Sequence, residues 1–221
     1  MIAENLRRVR ERIVAAARSA GRDPAEVRLI CVTKGVPVER IREALAAGVQ
    51  EIGENRVQEA ERKHLELGAG LRWHLIGQLQ RNKAKHAAGL FDTIHSVDSP
   101  ELIQALEKQE RKLEILIEVN VSGEASKGGC RPEEAALLAA AVRKAEHLQW
   151  TGLMTMAPYS ENPEDARPVF RRLRELRDRL EKEFGLKLGL SMGMSGDFEP
   201  AVQEGATLVR IGTAIFGERV Q

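Results

Sequence analysis

The chain has 221 residues, enough to bury one full core but close to the lower limit for a closed α/β barrel, so a single domain over residues 1–221 is expected. Lysine plus arginine (34) almost balances aspartate plus glutamate (33), which removes the electrostatic case for nucleic-acid or membrane partners. The early charges of the N-terminus do not fit a signal peptide, no apolar run approaches membrane-spanning length, and the two cysteines lack CxxC spacing; a cytoplasmic protein without a disulfide framework or metal centre is expected.

An amphipathic helix comes first, with Leu6, Val9, Ile13 and Ala17 at helical spacing and Gly21 closing it. Strand and helix then alternate with great regularity. Residues 27–33 read as a buried strand, 38–47 as a helix stopped by Gly48, 50–53 as a strand and 55–67 as a helix. A third strand (72–76) leads to a helix over 82–88 ended by Gly89, and a fourth strand spans 91–95. Ser99-Pro100-Glu101 opens the next helix with a capping hydroxyl and a proline at the first helical position. Residues 113–121, nearly continuous in Leu, Ile and Val, read as a strand covered on both faces. A helix over 132–146, a strand over 149–154 and a long helix over 163–184 follow. Two final strand–loop–helix units, starting at Leu188 and Thr207, bring the count to eight. Strands and helices alternating at this spacing predict a parallel (β/α)8 TIM barrel with an extra N-terminal helix.

Those last two loops carry the densest chemistry. Ser191-Met192-Gly193-Met194-Ser195-Gly196-Asp197 and Gly212-Thr213 are rich in glycine and hydroxyl groups, and each precedes a helical stretch. Backbone N–H groups in such turns face anions, and barrels place phosphate after their seventh and eighth strands. Functional side chains of a barrel lie at the C-terminal strand ends, here Lys34, Glu54 and Asn55, His74, Ser96, Asn120, Met154 and Thr155, and Arg210. Lys34 ends an apolar strand, where lost hydration disfavours the ammonium, and a neutral amine facing a phosphate cup can form a Schiff base with a phosphorylated aldehyde. Arg210 offers only donors, so a pyridine nitrogen facing it stays unprotonated and the ring is a weak electron sink. Glu54 and Arg56 are read either as strand-end ion-pair partners or as pocket residues.

Long segments then point to one family. Val32-Thr33-Lys34, Gly53-Glu54-Asn55-Arg56-Val57-Gln58-Glu59, Trp73-His74-Leu75-Ile76-Gly77, Ser126-Lys127-Gly128-Gly129, Leu190-Ser191-Met192-Gly193-Met194-Ser195 and Val209-Arg210-Ile211-Gly212-Thr213 closely resemble the pyridoxal phosphate homeostasis proteins. These are single-domain relatives of the alanine racemase N-terminal barrel, fold type III, and the resemblance covers essentially the whole chain. It implies pyridoxal 5′-phosphate (PLP) as cofactor, bound as a Schiff base on Lys34. It further implies Arg210 at the pyridine nitrogen, Ser195, Gly212 and Thr213 at the phosphate, Asn55 near the ring, and His74 and Met154 lining the pocket.

Racemisation through two bases needs a proton acceptor on each face of the cofactor. Alanine racemase takes its second base, a tyrosine, from a second domain and partner subunit, whereas the sole tyrosine here, Tyr159, falls in a turn. The expected function is therefore PLP carriage and homeostasis, with apo-PLP enzymes as recipients and a monomer as the working state. A low-activity PLP-dependent amino-acid racemase is the alternative, and a Schiff-base aldolase for sugar phosphates a third reading.

Overall fold

The computed structural model describes residues 1–68, 70–124 and 127–218; Ser126 of the loop motif lies outside them. Eight strands run in chain order around a closed barrel: β1 (Arg28–Val32), β2 (Glu51–Glu54), β3 (Arg72–Leu75), β4 (Thr93–Val97), β5 (Leu113–Glu118), β6 (Leu148–Met154), β7 (Gly189–Ser191) and β8 (Leu208–Ile211). All pairings are parallel, and β1 closes on β8 with Arg28 beside Leu208 and Cys31 beside Ile211. The (β/α)8 expectation holds.

Because strand side chains alternate with period two, each strand sends every second residue inward. Cys31, Ile52, Leu75, Ile94, Ile115, Leu153, Leu190, Val209 and Ile211 face outward into the main core against the helices. Ile30, Leu116, Met154 and Leu208 form a separate small cluster with Met156. The lumen also holds the buried polar side chains of His74, His95, Glu118, Ser191 and Arg210.

The outer layer comprises α1 (Ile2–Ser19), α2 (Val38–Ala46), α3 (Val57–Leu67), α4 (Ala84–Leu90), α5 (Pro100–Glu107), α6 (Ala135–Val142), α7 (Arg167–Phe184), α8 (Phe198–Gln203) and α9 (Thr213–Phe216). In α7 the buried residues Phe170, Leu173, Leu176 and Leu180 form one stripe, each worth about 2 kcal/mol of burial, and Gly185 in the left-handed region ends the helix. Helix α1 buries Leu6, Val9, Ile13 and Ala17 and packs on α2, α8 and α9, tied there by Asn5 Nδ2 to Ile215 O at 2.9 Å. It thereby covers the β1–β8 seam, which the four-residue α9 is too short to cover.

Some boundaries differ from the sequence expectations. Helix α4 runs through Gly89 to Leu90, and a 3-10 turn over Arg81–Lys83 precedes it. Ser99 makes no side-chain cap bond; α5 starts on the fixed φ of Pro100 and the Ile103 N–H to Ser99 O bond. Strand β5 stops at Glu118 because the chain folds back on itself, Cys130 N–H bonding to Glu118 O and Asn120 N–H to Cys130 O. Cys130 is consequently buried, and burial pushes both its thiol and that of Cys31 up to about 12, so neither forms thiolate readily.

Candidate functional site

A cleft of about 310 Å³ opens at the C-terminal end of the barrel. Its walls include Lys34 from the turn after β1, Asn55 after β2, Met156 and Tyr159 after β6, Ser195 and Asp197 after β7, and Arg210, Gly212 and Thr213 from β8 and beyond. Strand-end residues from across the barrel thus meet where barrel sites form.

Lys34 is half-buried, two residues past the last residue of β1. The peptide groups on either side of it are held by a buried ion-pair network. Lys63 of α3 donates to Thr33 O (2.6 Å), Glu54 Oε1 (2.7 Å) and Glu59 Oε1 (2.7 Å). Glu59 Oε1 in turn accepts the Gly35 N–H at 2.6 Å, and Glu54 Oε1 accepts the Thr33 hydroxyl at 2.6 Å. Burial still pushes the Glu54 carboxyl above the usual carboxylate range, against the pull of Lys63 and Thr33. Of the two readings weighed for Glu54, the ion-pair role is the one its contacts show, while Arg56 is exposed.

The last two loops are joined to one another. Ser195 Oγ accepts the Ala214 N–H at 3.2 Å, and the Arg210 N–H bonds to Gly193 O at 3.0 Å. Gly193 sits at φ +94°, and a Cβ there would lie 2.6 Å from Ala201 Cβ, so only glycine brings this loop onto α8. At Gly212 a Cβ would stand 3.2 Å from Val32 O, and its absence lets the β8 loop lie against the end of β1. Asp197 Oδ1 accepts the Met194 N–H at 2.6 Å and fixes the turn that presents Ser195.

Arg210 is 4% exposed. Its Nη1 donates to Ser191 Oγ at 2.5 Å and its Nη2 to Thr155 O at 2.9 Å. Burial lowers its pKa to about 10, opposed by the charges of Asp197 and Glu118, so the side chain remains a cation at neutral pH. Glu118 lies within the barrel near it, and one carboxyl oxygen, Oε2, lacks a hydrogen-bond partner among the described residues. Burial, reinforced by Asp98 and opposed by Arg210, raises Glu118 to about 7. A carboxyl whose folded pKa lies above its unfolded value stabilises the fold fully below about pH 4.5, and that stability is lost as pH rises through about 7. Glu118→Gln is therefore expected to gain up to roughly 3 kcal/mol over wild type above pH 7 and little below pH 4.5, read by denaturant melts across that range. A variant that tracks wild type at every pH would contradict this.

Of the residues picked from sequence, Lys34, Asn55, Ser195, Arg210, Gly212 and Thr213 line one cleft. His74 and Met154 do not: both are buried in the lumen one layer deeper, and Ile76 and Met156, two residues further along the same inward face, stand in the cleft wall instead. Strand alternation gives the face a residue takes but carries no depth. Tyr159 lines the rim and is 93% exposed. Lys127, from the loop after β5, pairs with Glu124 at 3.1 Å and reaches Met156 O at 3.4 Å.

The cleft's donor set fits a phosphorylated pyridine aldehyde. It combines an amine, a buried guanidinium with donors to spare beyond Ser191 and Thr155, and a hydroxyl beside a glycine that a Cβ would crowd. A closed parallel barrel with this cleft at its C-terminal end defines the class, and residues 2–220 match the family described as alanine racemase, N-terminal domain. A pyridoxal phosphate homeostasis protein of Aquifex aeolicus is 49% identical over 98% of this chain and 97% of its own length. Another from Pseudomonas aeruginosa is 47% identical over 99% and 96%. The structure of PipY from Synechococcus elongatus with PLP bound superposes with a TM-score of 0.85 at 37% identity, covering 98% of this chain and all of that one. The chain belongs to the pyridoxal phosphate homeostasis protein family.

Proposed function

We propose that this chain binds PLP on Lys34 and serves intracellular PLP homeostasis and carriage, not robust catalysis. The convergence of Lys34, Arg210 and the Ser195/Gly212 loops on one cleft carries this reading. PipY, similar over almost the whole chain, has been seen with PLP bound. When bound, the coenzyme supplies an electrophilic aldehyde carbon and a pyridine ring that withdraws electrons. Lys34 Nζ would bond to that carbon as a Schiff base with loss of water. Ser195, Gly212 and Thr213 would hold the phosphate, with Asn55 beside the ring. Arg210, a donor only, would face the ring nitrogen and keep it unprotonated, which weakens carbanion chemistry.

The environment of the remaining acid–base candidates supports a carrier. His74 is buried with both ring nitrogens engaged, and it is absent from the cleft wall. Tyr159, the chain's single tyrosine, sits almost fully in solvent at the cleft rim. Apo-enzymes that use the same coenzyme would be the recipients, and a monomeric, single-domain protein within the cell is the proposed working form. Among the described residues no helix is long and apolar enough to cross a membrane.

An absorbance spectrum of protein loaded with PLP tests the binding, and incubating it with several amino acids tests the carrier role. A yellow species that borohydride bleaches, with no racemisation or transamination at ordinary enzymatic rates, is the expected result. Racemisation that disappears in Lys34→Ala would establish the racemase alternative, and colourless protein with aldol activity would point to the aldolase.

A further inference from the structure

A line of polar side chains crosses the barrel lumen from its N-terminal end to Arg210. Arg28 donates to both carboxyl oxygens of Glu51, at 2.9 and 2.6 Å. Glu51 Oε2 lies 3.0 Å from His74 Nε2, His74 Nδ1 lies 2.9 Å from His95 Nε2, and His95 Nδ1 lies 2.9 Å from Ser191 Oγ. Ser191 Oγ also accepts from Arg210 Nη1. Both imidazoles are buried, and their rings meet edge to face with centroids 5.1 Å apart.

With both rings neutral, the carboxylate end of this line dictates the direction of each bond up to Ser191. Glu51, held ionised by His74 and Arg28 despite partial burial, can only accept, so His74 Nε2 must carry a proton. A neutral His74 then accepts at Nδ1, which requires the proton of His95 on Nε2 and leaves His95 Nδ1 as an acceptor. Among the described residues, the Ser191 hydroxyl hydrogen is the one placed to fill that site. The Arg210 end is compatible with this order, since Ser191 Oγ can accept from the guanidinium while its own hydrogen goes to His95 Nδ1. A charged ring at either position would add a second buried cation near Arg210, Arg28 and Arg72, and burial lowers the pKa of both rings.

We infer that Glu51, His74 and His95 are positioning residues for Arg210, forming a one-way hydrogen-bond chain that locks both rings in the Nε2–H tautomer and aims the guanidinium through Ser191. The chain explains why two histidines that do not line the cleft are buried in the lumen, with a partly buried carboxylate at its far end. Its role toward the coenzyme rests on the function proposed above; the tautomers do not.

Nitrogen-15 NMR of histidine-labelled protein without PLP, near neutral pH, tests the chain. His74 and His95 are separated from His64, His86 and His147 by slow solvent exchange, since the latter three reach solvent. Both buried rings are expected to be neutral and protonated on Nε2; a proton on Nδ1 of His95, or a charged ring, would overturn the inference whether or not PLP binds. Glu51→Gln replaces the obligate acceptor with an amide that can also donate. It is expected to give His74 a second tautomer and to loosen PLP retention about two- to tenfold, the span of one hydrogen bond. Unchanged rings and unchanged retention would overturn the positioning role. Ser191→Ala serves as the second variant: the rings should stay protonated on Nε2, set by Glu51 alone, while restricted rotation of the Arg210 guanidinium is lost. An Arg210 signal indifferent to Ser191→Ala would also overturn it.

Discussion

Lys34→Ala is expected to abolish the visible absorption that PLP acquires on binding and to weaken its retention at least about a hundredfold, ~3 kcal/mol. Alanine leaves the Ser195 hydroxyl, the Arg210 guanidinium and the loop glycines in place, so a residual affinity for the phosphate and ring should persist without colour. Lys127→Ala is the matched control: that amine pairs with Glu124 at the rim and should leave the absorption intact. Equilibrium dialysis followed by a spectrum separates the two variants. Colour retained by Lys34→Ala, or lost in Lys127→Ala, would move the reactive amine elsewhere.

The second large effect is expected behind the turn that carries Lys34, at a side chain outside the cleft wall. Lys63→Ala removes the ammonium that pairs with Glu54, whose side chain is entirely buried. Leaving that charge uncompensated is expected to cost about 3–5 kcal/mol and, in a chain of this size, to lower Tm by about 10 °C. The same ammonium holds Thr33 O, so the turn bearing Lys34 loses its anchor and PLP binding should weaken as well. Combining Lys63→Met with Glu54→Gln should recover stability, since no buried charge is then unmatched, yet leave Thr33 O without its donor. Thermal melts on the single and double variants measure the first effect, and titration with PLP measures the second. A Lys63→Ala protein as stable as wild type would remove the clamp from the account.

Much of this architecture is legible along the chain. The regular alternation of apolar strands with amphipathic helices foretells the barrel, and glycines with hydroxyl residues after the last two strands mark the loops that meet at Ser195 and Ala214. Lys34 is visible because an amine at the end of an apolar strand is uncommon. What escapes the sequence is depth and pairing across the lumen. His74 and Ile76 share a face, as do Met154 and Met156, and nothing local says which member of each pair reaches the cleft. Glu59 and Lys63, four residues apart on α3, read as an ordinary solvated helix pair; only the fold shows Lys63 buried against Thr33 and Glu54. His95 and Ser191 are separated by 96 positions, so their contact has no local signature at all.

The central claim is a covalent bond from one named amine. Borohydride reduction of the PLP-loaded protein, followed by proteolysis and peptide mass spectrometry, tests it most directly. A single modified peptide carrying the mass of a reduced phosphopyridoxyl group on Lys34 is the expected result. A reduced adduct on Lys63, Lys127 or any other lysine, with Lys34 unmodified, would contradict it.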